Sequence, residues 1–206
     1  MAAGRDAHSV HAMATTAVSG TGQFVPNRAT GTVQRVFVVA APAETYRAIW
    51  DADLLNTPLA RALSAVALWP ERVRARLRRQ PPPARSGRSA RLRDMLGQDS
   101  PWILLADEPD REVVLGLLWT PPAGGAKCAP ADFEGFAAPG VAKVVWSLSV
   151  VPFGAGHTVL ITETRTEPTD SVAARRFRVI WPLISPFAAL LRMQVLRAVK
   201  AHAERR

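Results

Sequence analysis

The sequence predicts an α+β fold, in which an antiparallel sheet packs against one long C-terminal helix. Four segments between residues 102 and 167 are rich in β-branched and aromatic residues and are separated by Asp, Pro and Gly turns, as strands of a sheet are. The final stretch, residues 170–206, instead repeats apolar residues at steps of three and four, which is the period of one helix face. Because that apolar stripe needs a partner, we expect the helix to lie across the sheet.

The predicted organisation is a disordered N-terminal tail, residues 1–30, followed by one domain, residues 31–206. The first 30 residues are rich in Ala, Gly, Ser and Thr and show no sustained periodicity. They do not resemble a secretory signal, because Arg5, Asp6 and His8 interrupt any apolar run. The chain of 206 residues is long enough to bury one substantial core.

Charge and cysteine content narrow the class of partner. The formal net charge is +9, and nine arginines lie between Arg72 and Arg93. No aromatic residues are interleaved with these arginines, and no nucleic-acid-binding motif occurs, so no nucleic acid partner is expected. The lone Cys128 cannot form an intrachain disulfide, and no Cys/His cluster has metal-ligand spacing. We therefore expect a cytoplasmic protein with no metal and no cofactor.

The first predicted elements are one strand and two short helices. Residues Thr32–Ala40 alternate β-branched and polar side chains, which indicates a strand. Pro42 and Glu44 then favour the first turn of a helix. Helical spacing of apolar residues continues over Leu54–Arg79, around a break at Pro70, and a loop rich in proline and arginine follows.

The remaining strands follow from extended patterns bounded by turn residues. They are predicted over Trp102–Ala106, Arg111–Trp119, Ala142–Val151 and His157–Glu167. The last two are expected to pair antiparallel, with Val144, Trp146 and Leu148 on a covered face of the sheet. The segment Pro121–Pro139 is rich in glycine and proline and is interpreted as a loop that forms a mobile mouth.

The terminal helix should begin at a capping residue, Thr169 or Asp170. Its predicted buried stripe consists of Phe177, Ile180, Trp181, Ile184, Ala188, Leu191, Val195, Ala198 and His202. Pro182 and Pro186 each lack an amide donor, so we expect a kink or a short break between Trp181 and Ser185. The same prolines make Ile180–Leu191 too short and too interrupted for a membrane-spanning segment.

Three motifs and the order of the elements together carry a resemblance. The motifs are VFVVAAPAETYRAIWD, FAAPGVAKVVWSLSVVPFGAGHTVLITETRTEPTD and RRFRVIWPLISPFAALLRMQVLRAVK. Over about Thr32–Ala203 the chain resembles the START-like superfamily, also called SRPBCC or polyketide cyclase/dehydrase, which includes the birch-pollen allergen type. Its F-x-x-PG-x-AK-x-x-W and TETR sequences are similar to a bacterial subgroup. The resemblance implies a helix-grip fold, in which a curved antiparallel sheet wraps around a long C-terminal helix and encloses an elongated apolar cavity.

The resemblance also implies a function. Members bind lipids, sterols, polyketides or hormones, and some catalyse cyclisation or dehydration. We therefore expect the protein to bind, or to bind and transport, a hydrophobic or amphipathic small molecule such as a lipid or polyketide-like compound. Two alternatives stay open: a cyclase- or dehydratase-like enzyme using Glu163 or Tyr46 for proton transfer, and a module whose basic face contacts a membrane or an acidic partner. No motif carries the superfamily's catalytic residues over to this chain, so no catalytic residue is assigned.

Candidate ligand-binding residues are the large apolar side chains of the elements expected to face inward. They are Trp102, Trp119, Trp146, Phe177, Trp181 and Leu191. The alternative for each of them is that it packs in the core without contacting a ligand.

Three polar residues are further candidates. Glu163 and Arg165 share a strand face, and if that face lines the cavity, Arg165 would hold a ligand carboxylate and Glu163 would act as a base; otherwise they form an ion pair. Tyr46, the only tyrosine, would donate a hydrogen bond to a ligand or pack against the sheet. The arginine-flanked segment Ile180–Leu191 is an alternative site of peripheral membrane contact.

Overall fold

A computed structural model describes residues 20–25, 30–54, 91–97, 100–120 and 125–205 of the chain. Its elements are α1 (Thr21–Phe24), β1 (Thr30–Val38), α2 (Pro42–Asp51), a 3-10 helix (Leu92–Leu96), β2 (Trp102–Glu108), β3 (Glu112–Trp119), β4 (Gly125–Ala126), a second 3-10 helix (Pro130–Asp132), β5 (Ala142–Pro152), β6 (Thr158–Pro168) and α3 (Ser171–Ala203). All but the first residue of the helix predicted over Leu54–Arg79 lies outside the described residues, as do most of the arginines between Arg72 and Arg93.

The described strands form one antiparallel sheet in the order β1-β6-β5-β3-β2, and β4 pairs with β3. The predicted hairpin of the last two strands is confirmed, since β5 and β6 pair along their whole length. The sheet is curved, α3 packs across one face, and α2 follows the first strand. This is the predicted helix-grip fold.

The face of the sheet that carries Trp146, Leu148 and Val150 is covered by α2 and α3, and is called the inner face here. In β5 these side chains alternate with Val145, Ser147 and Ser149, which therefore lie on the opposite, outer face. The larger hydrophobic core lies between the inner face and the two helices. Its most deeply buried members include Val38, Ile49, Leu115, Leu160, Leu196 and Val199.

A smaller core covers part of the outer face. Its centre is Phe133, which is completely buried among Val114, Leu118 and Val145. The ring of Phe133 fits because β3 has Gly116 beneath it: a Cβ there would lie 2.7 Å from Phe133 Cε2. The described part of the predicted mobile mouth, residues 125–139, is therefore held to the sheet by a buried aromatic side chain.

Residues 20–25 also cross the outer face, in contrast to the tail expected over residues 1–30. The Gly20 amide donates to Glu112 Oε2 at 2.7 Å, and Thr21 Oγ1 donates to Glu163 Oε2 at 3.1 Å. Val25 is completely buried in the smaller core. The contact partners lie far along the chain, which is why local composition does not reveal this segment.

Helix α3 runs without a break from Ser171 to Ala203, through both Pro182 and Pro186. A short break between Trp181 and Ser185 is therefore wrong, and the other predicted form, a kink, stays a prediction. Each proline removes one backbone amide donor, and this leaves the carbonyls of Arg178 and Pro182 without their intrahelical partners. Both prolines are exposed, so water can bind those carbonyls on the solvent side of the helix.

Candidate functional site

An aromatic group lies where the first half of α3 crosses the inner face. The ring centroids of Trp119 and Phe177 are 6.0 Å apart in an edge-to-face arrangement, and Phe177 stacks on Trp181 at 5.0 Å. Phe177 is buried, whereas both tryptophans are half-buried. Three of the predicted candidates thus form one apolar wall.

Two further candidates lie together on the inner face. The rings of Trp102 and Trp146 are 5.6 Å apart, and both belong to the larger core. Trp146 Nε1 donates to Thr162 Oγ1 at 2.6 Å, and that hydroxyl donates to the Ser147 carbonyl at 2.9 Å. The indole N–H is satisfied internally, so Trp146 presents an apolar ring surface.

The inner side of α3 differs along its length. In the middle segment, residues 177–191, the inward-facing Trp181, Ile184, Ala188 and Leu191 are only half-buried. In the end segment, residues 192–203, the inward-facing positions are buried against α2 and the sheet. Leu191, the last apolar candidate, marks the boundary between a tightly packed part and a part that keeps accessible surface.

Polar atoms without partners lie on the inner face opposite the middle segment. Thr32 Oγ1, Gln34 Oε1 and Thr166 Oγ1 are buried and make no hydrogen bond. Strand register puts them on one face: Thr32 is opposite Thr164, which is itself opposite Trp146. Gln34 Nε2 donates to the Ala189 carbonyl at 3.2 Å, so this polar group adjoins α3. Buried polar atoms are normally hydrogen-bonded, so each unpaired atom needs an explanation.

Arg192 is the one charged side chain of α3 that is buried, at 8% exposure. Its Nε is buried without a hydrogen-bond partner, and no described residue forms an ion pair with it. Burial lowers the pKa of the guanidinium, since a low-dielectric environment disfavours the charged form. Arginine nevertheless stays charged at neutral pH.

Glu163 and Arg165 are not part of this arrangement. Glu163 is opposite Ser147 and Val33, and the pair therefore lies on the outer face. Arg165 Nε donates to Glu163 Oε1 at 2.6 Å, and the backbone of Gly22 packs against the Arg165 guanidinium. The hypothesis that they form the polar end of the cavity required their face to be the inner one. The structure instead gives the ion pair, formed within one strand beneath residues 20–25.

Tyr46 lies at the packed end of the inner face. It is buried in the larger core and its hydroxyl donates to Asp107 Oδ1. Burial, followed by that hydrogen bond, raises the pKa of Tyr46 to about 12. A phenol held in this way is a poor proton donor at neutral pH. Neither proton-transfer group of the enzyme alternative therefore faces the aromatic wall.

Sequence reasoning missed Thr32, Gln34, Thr166 and Arg192. The threonines carried a weak signal, because Thr162, Thr164 and Thr166 alternate with Glu163 and Arg165 and one of the two faces must lie inside. Arg192 carried a stronger one. It follows Leu191 directly and precedes Val195 by three residues, so it interrupts the predicted apolar stripe.

The side of α3 turned away from the sheet is also apolar. Val179, Leu183, Phe187 and Leu190 form an exposed stripe, called the outer stripe here, with exposures of 68%, 69%, 48% and 47%. By length and composition α3 could cross a membrane, contrary to the expectation from its prolines. A single helix of this kind is weak evidence for a membrane span, because the core helix of a soluble protein can have the same length and composition. Only 22% of the most apolar window is buried, however, so burial alone does not explain its composition.

No group of acidic, histidine or cysteine side chains among the described residues could hold a metal ion. No protein-family model matches the chain, and no curated protein matches it.

Solved structures with a similar arrangement were found. A norcoclaurine synthase point mutant from Thalictrum flavum, in complex with a transition-state analogue, is 13% identical with a TM-score of 0.38, over 85% of this chain and 94% of that one. An aromatase/cyclase from a Streptomyces species is 11% identical with a TM-score of 0.33, over 86% and 94%. A START superfamily protein from Mycobacterium smegmatis is 13% identical with a TM-score of 0.33, over 85% and 97%.

One of these structural neighbours, the Mycobacterium smegmatis protein, is described as a member of the START superfamily, which the sequence motifs also resemble. All three TM-scores are below 0.5, so the helix-grip assignment depends on the strand order and on the position of α3.

Proposed function

We propose that this protein binds a hydrophobic or amphipathic small molecule between the inner face of the sheet and the middle segment of α3. The observation that carries the proposal is the half-buried inner side of that segment, where Trp181, Ile184 and Ala188 keep accessible surface beside the wall of Trp119 and Phe177. Apolar ligand surface buried there would contribute about 25 cal/mol per Å², and the unpaired hydroxyls would orient the ligand.

The resemblance narrows the ligand to a lipid or a polyketide-like compound. Binding is favoured over catalysis because Glu163 and Tyr46, the two candidate proton-transfer groups, are engaged elsewhere by Arg165 and Asp107. Transport of the bound molecule would need no further chemistry in the site.

Titration with the neutral apolar fluorophore Nile red tests this proposal. The wild type should bind the dye, and Ala188→Phe should weaken binding by about tenfold or more, since a ring on the inner side of α3 fills the site. Ala201→Phe is the matched control, because Ala201 is exposed on the same helix. Native mass spectrometry of the purified protein would identify a ligand that co-purifies.

Two results would overturn the proposal: a folded wild type that does not bind the dye, or a folded Ala188→Phe variant that binds it as well as the wild type. If Ala188→Phe does not fold, Trp181→Ala takes its place. Trp181 is half-buried and stacks on Phe177, so its removal should weaken dye binding while the end segment of α3 keeps the fold.

The outer stripe supports a second proposed interaction, contact with the surface of an anionic membrane. The stripe is flanked by exposed Arg175 and Arg176 on one side and by exposed Arg197 on the other. Residues 171–203 contain five arginines, one lysine and no acidic residue. An apolar stripe bordered by cations is the pattern of helices that lie in a membrane interface, and such contact would bring a lipid ligand to the site.

Vesicle co-sedimentation tests the membrane contact. The wild type should bind phosphatidylglycerol-containing vesicles more strongly than pure phosphatidylcholine vesicles, and added salt should weaken this. The double variant Leu183→Ser, Phe187→Ser should lose binding, whereas Val33→Ser, an exposed site on the sheet, should not. Equal binding to both vesicle types would contradict the proposal. A dimer in solution that the double variant abolishes would assign the stripe to a second copy of the chain instead.

A further inference from the structure

We infer that the ligand carries a carboxylate and that Arg192 binds it, which makes the ligand class an amphipathic acid. This inference deepens the proposed function and depends on it. The aromatic wall would bind the apolar part of the ligand, and Arg192 would bind its charged end.

The first step concerns the unfavourable free energy of burying the Arg192 charge without a partner. Removing an ion from water is strongly unfavourable unless a counter-charge or hydrogen bonds compensate. Arg192 is 8% exposed, its Nε has no acceptor, and no described carboxylate pairs with it. A charged side chain kept in this state is explained if an anion completes its surroundings when the site is occupied.

The second step is the charge of the surrounding elements. The inner-face residues of β1 and β6 next to α3 are uncharged, namely Thr32, Gln34, Val36, Leu160, Thr162, Thr164 and Thr166. The inner-face residues of β5 are Ala142, Val144, Trp146, Leu148 and Val150, which are also uncharged. Helix α3 itself contains no acidic residue. Helix α2, which packs against the end segment, carries Glu44 and Asp51, but Asp51 pairs with Arg93 and Glu44 accepts a hydrogen bond from the Ala41 amide. Among the described elements that pack against α3, no acidic side chain therefore neutralises Arg192.

The third step is position. Ala189, whose carbonyl accepts from Gln34 Nε2, is one helical turn before Arg192. Helical side chains lean toward the N-terminus, so the guanidinium extends from Arg192 toward the turn that contains Ala188 and Ala189. The guanidinium is therefore directed toward the turn of α3 that Gln34 contacts, and Gln34 lies on the same strand face as Thr32. A planar guanidinium can donate two parallel hydrogen bonds to a carboxylate, and the hydroxyl of Thr32 can donate a third.

Two probes with the same apolar chain and different head groups test the inference. Decanoate and 1-decanol would each be used to displace Nile red from the wild type at pH 8, where the carboxyl is ionised. Decanoate should displace the dye at a concentration lower by about tenfold or more, as hydrogen bonds to a charged group allow. Arg192→Gln should reduce that ratio to about one, and Arg192→Lys should retain part of it because it keeps the charge.

The control is Arg35→Gln, which removes an exposed arginine from the outer face of β1 and should leave the decanoate preference unchanged. A wild type that binds both probes equally, or an Arg192→Gln variant that keeps the preference, would overturn the inference while leaving the proposed function intact. If Nile red and both probes fail to bind, the proposed function and the inference fall together.

Thermal unfolding of the empty protein gives an independent readout. If Arg192 is kept for a ligand, Arg192→Met should raise the Tm of the unliganded protein by a few degrees, because it removes a buried charge and retains much of the side-chain volume. Decanoate should raise the Tm of the wild type and leave that of Arg192→Met almost unchanged. A lower Tm for unliganded Arg192→Met would instead assign Arg192 a structural role.

Discussion

The middle and end segments of α3 belong to one uninterrupted helix, yet the protein uses them differently. In the end segment Leu196 and Val199 are completely buried against α2 and the sheet. In the middle segment the inward-facing side chains after Phe177 are half-buried, and the outward-facing Leu183 is 69% exposed although it is just as apolar. The same apolar composition therefore builds the core in the end segment and leaves accessible apolar surface in the middle segment.

The two segments differ in burial because they pack against different elements. The end segment packs against α2, so its inner side is enclosed by two layers. The middle segment faces threonines, Gln34 and aromatic rings, and it contains both prolines of the helix. Fewer close contacts and two missing backbone hydrogen bonds should make the middle segment the less stable part of α3.

The largest expected effect comes from shortening one leucine in each segment. Leu196→Ala should lower the free energy of unfolding by about 2–5 kcal/mol, because it leaves a cavity in the core. Leu183→Ala should change the free energy of unfolding by less than about 0.5 kcal/mol, since this exposed side chain makes few packing contacts in the monomer. Urea unfolding followed by circular dichroism measures both.

If Leu196→Ala and Leu183→Ala lower the free energy of unfolding by similar amounts, the two segments of α3 do not differ in packing as described. A large loss for Leu183→Ala would mean that the outer stripe is covered in the isolated protein. Repeating the measurement over a range of protein concentrations would then show whether a second copy covers it, since stability that depends on association rises with concentration.

A second prediction concerns Tyr46, in the core that holds the end segment. Its pKa is raised to about 12 from 10.0, by burial first and then by the hydrogen bond to Asp107. Above pH 10 the unfolded chain loses the phenolic proton while the folded chain keeps it, so unfolding is favoured as pH rises from about 10 to 12. The contribution of Tyr46 to the free energy of unfolding should be constant below pH 10 and should decrease as pH rises from about 10 to 12. Tyr46→Phe should remove this fall at a cost of about 1 kcal/mol at neutral pH.

Because Tyr46 is the only tyrosine of the chain, ultraviolet absorbance of tyrosinate reports its titration directly. A folded-state midpoint near 10 would contradict the buried hydrogen bond. The matched variant Tyr46→Phe should unfold in alkali with the pH dependence of the remaining groups alone.

The regular elements were predictable from sequence because their cause is local. Alternation in β5 and the three- and four-residue period of α3 each reflect one covered face, and both were identified. The same reasoning could not choose the inner face of β6. That strand carries threonines on one side and Val159, Ile161, Glu163 and Arg165 on the other, so neither side is plainly apolar. The pairing of Thr164 with Trp146 decides the question, and it exists only in the folded sheet.

Long-range contacts explain the other differences. Phe133 is buried because Gly116, in a distant strand, leaves room for its ring. Residues 20–25 are held by Glu112 and Glu163, which are more than ninety residues away in the chain. The loop and the tail were assigned from composition, which contains no information about such partners.

The smallest expected effect concerns the N-terminal end of α3, where Asp170 caps the helix. Asp170 Oδ1 accepts from the Ala173 amide at 2.6 Å and Oδ2 accepts from the Gly140 amide at 2.9 Å; these bonds, the one from Ala173 first, lower the pKa of the carboxyl. A lowered folded-state pKa gives stability that is present above the unfolded value, about 3.9, and is lost as pH falls through the folded value.

Asp170→Asn tests this cap, because asparagine also caps helices but does not titrate. The Tm of the wild type should fall more than that of Asp170→Asn between pH 5 and pH 2, roughly the range in which carboxyl groups titrate. Other carboxylates contribute equally to both proteins, so the difference reports Asp170 alone. Equal losses would mean that the cap contributes nothing that depends on charge. A difference confined to hydrogen exchange in the first turns of α3, with equal Tm values, would show that the two ends of the helix are stabilised independently.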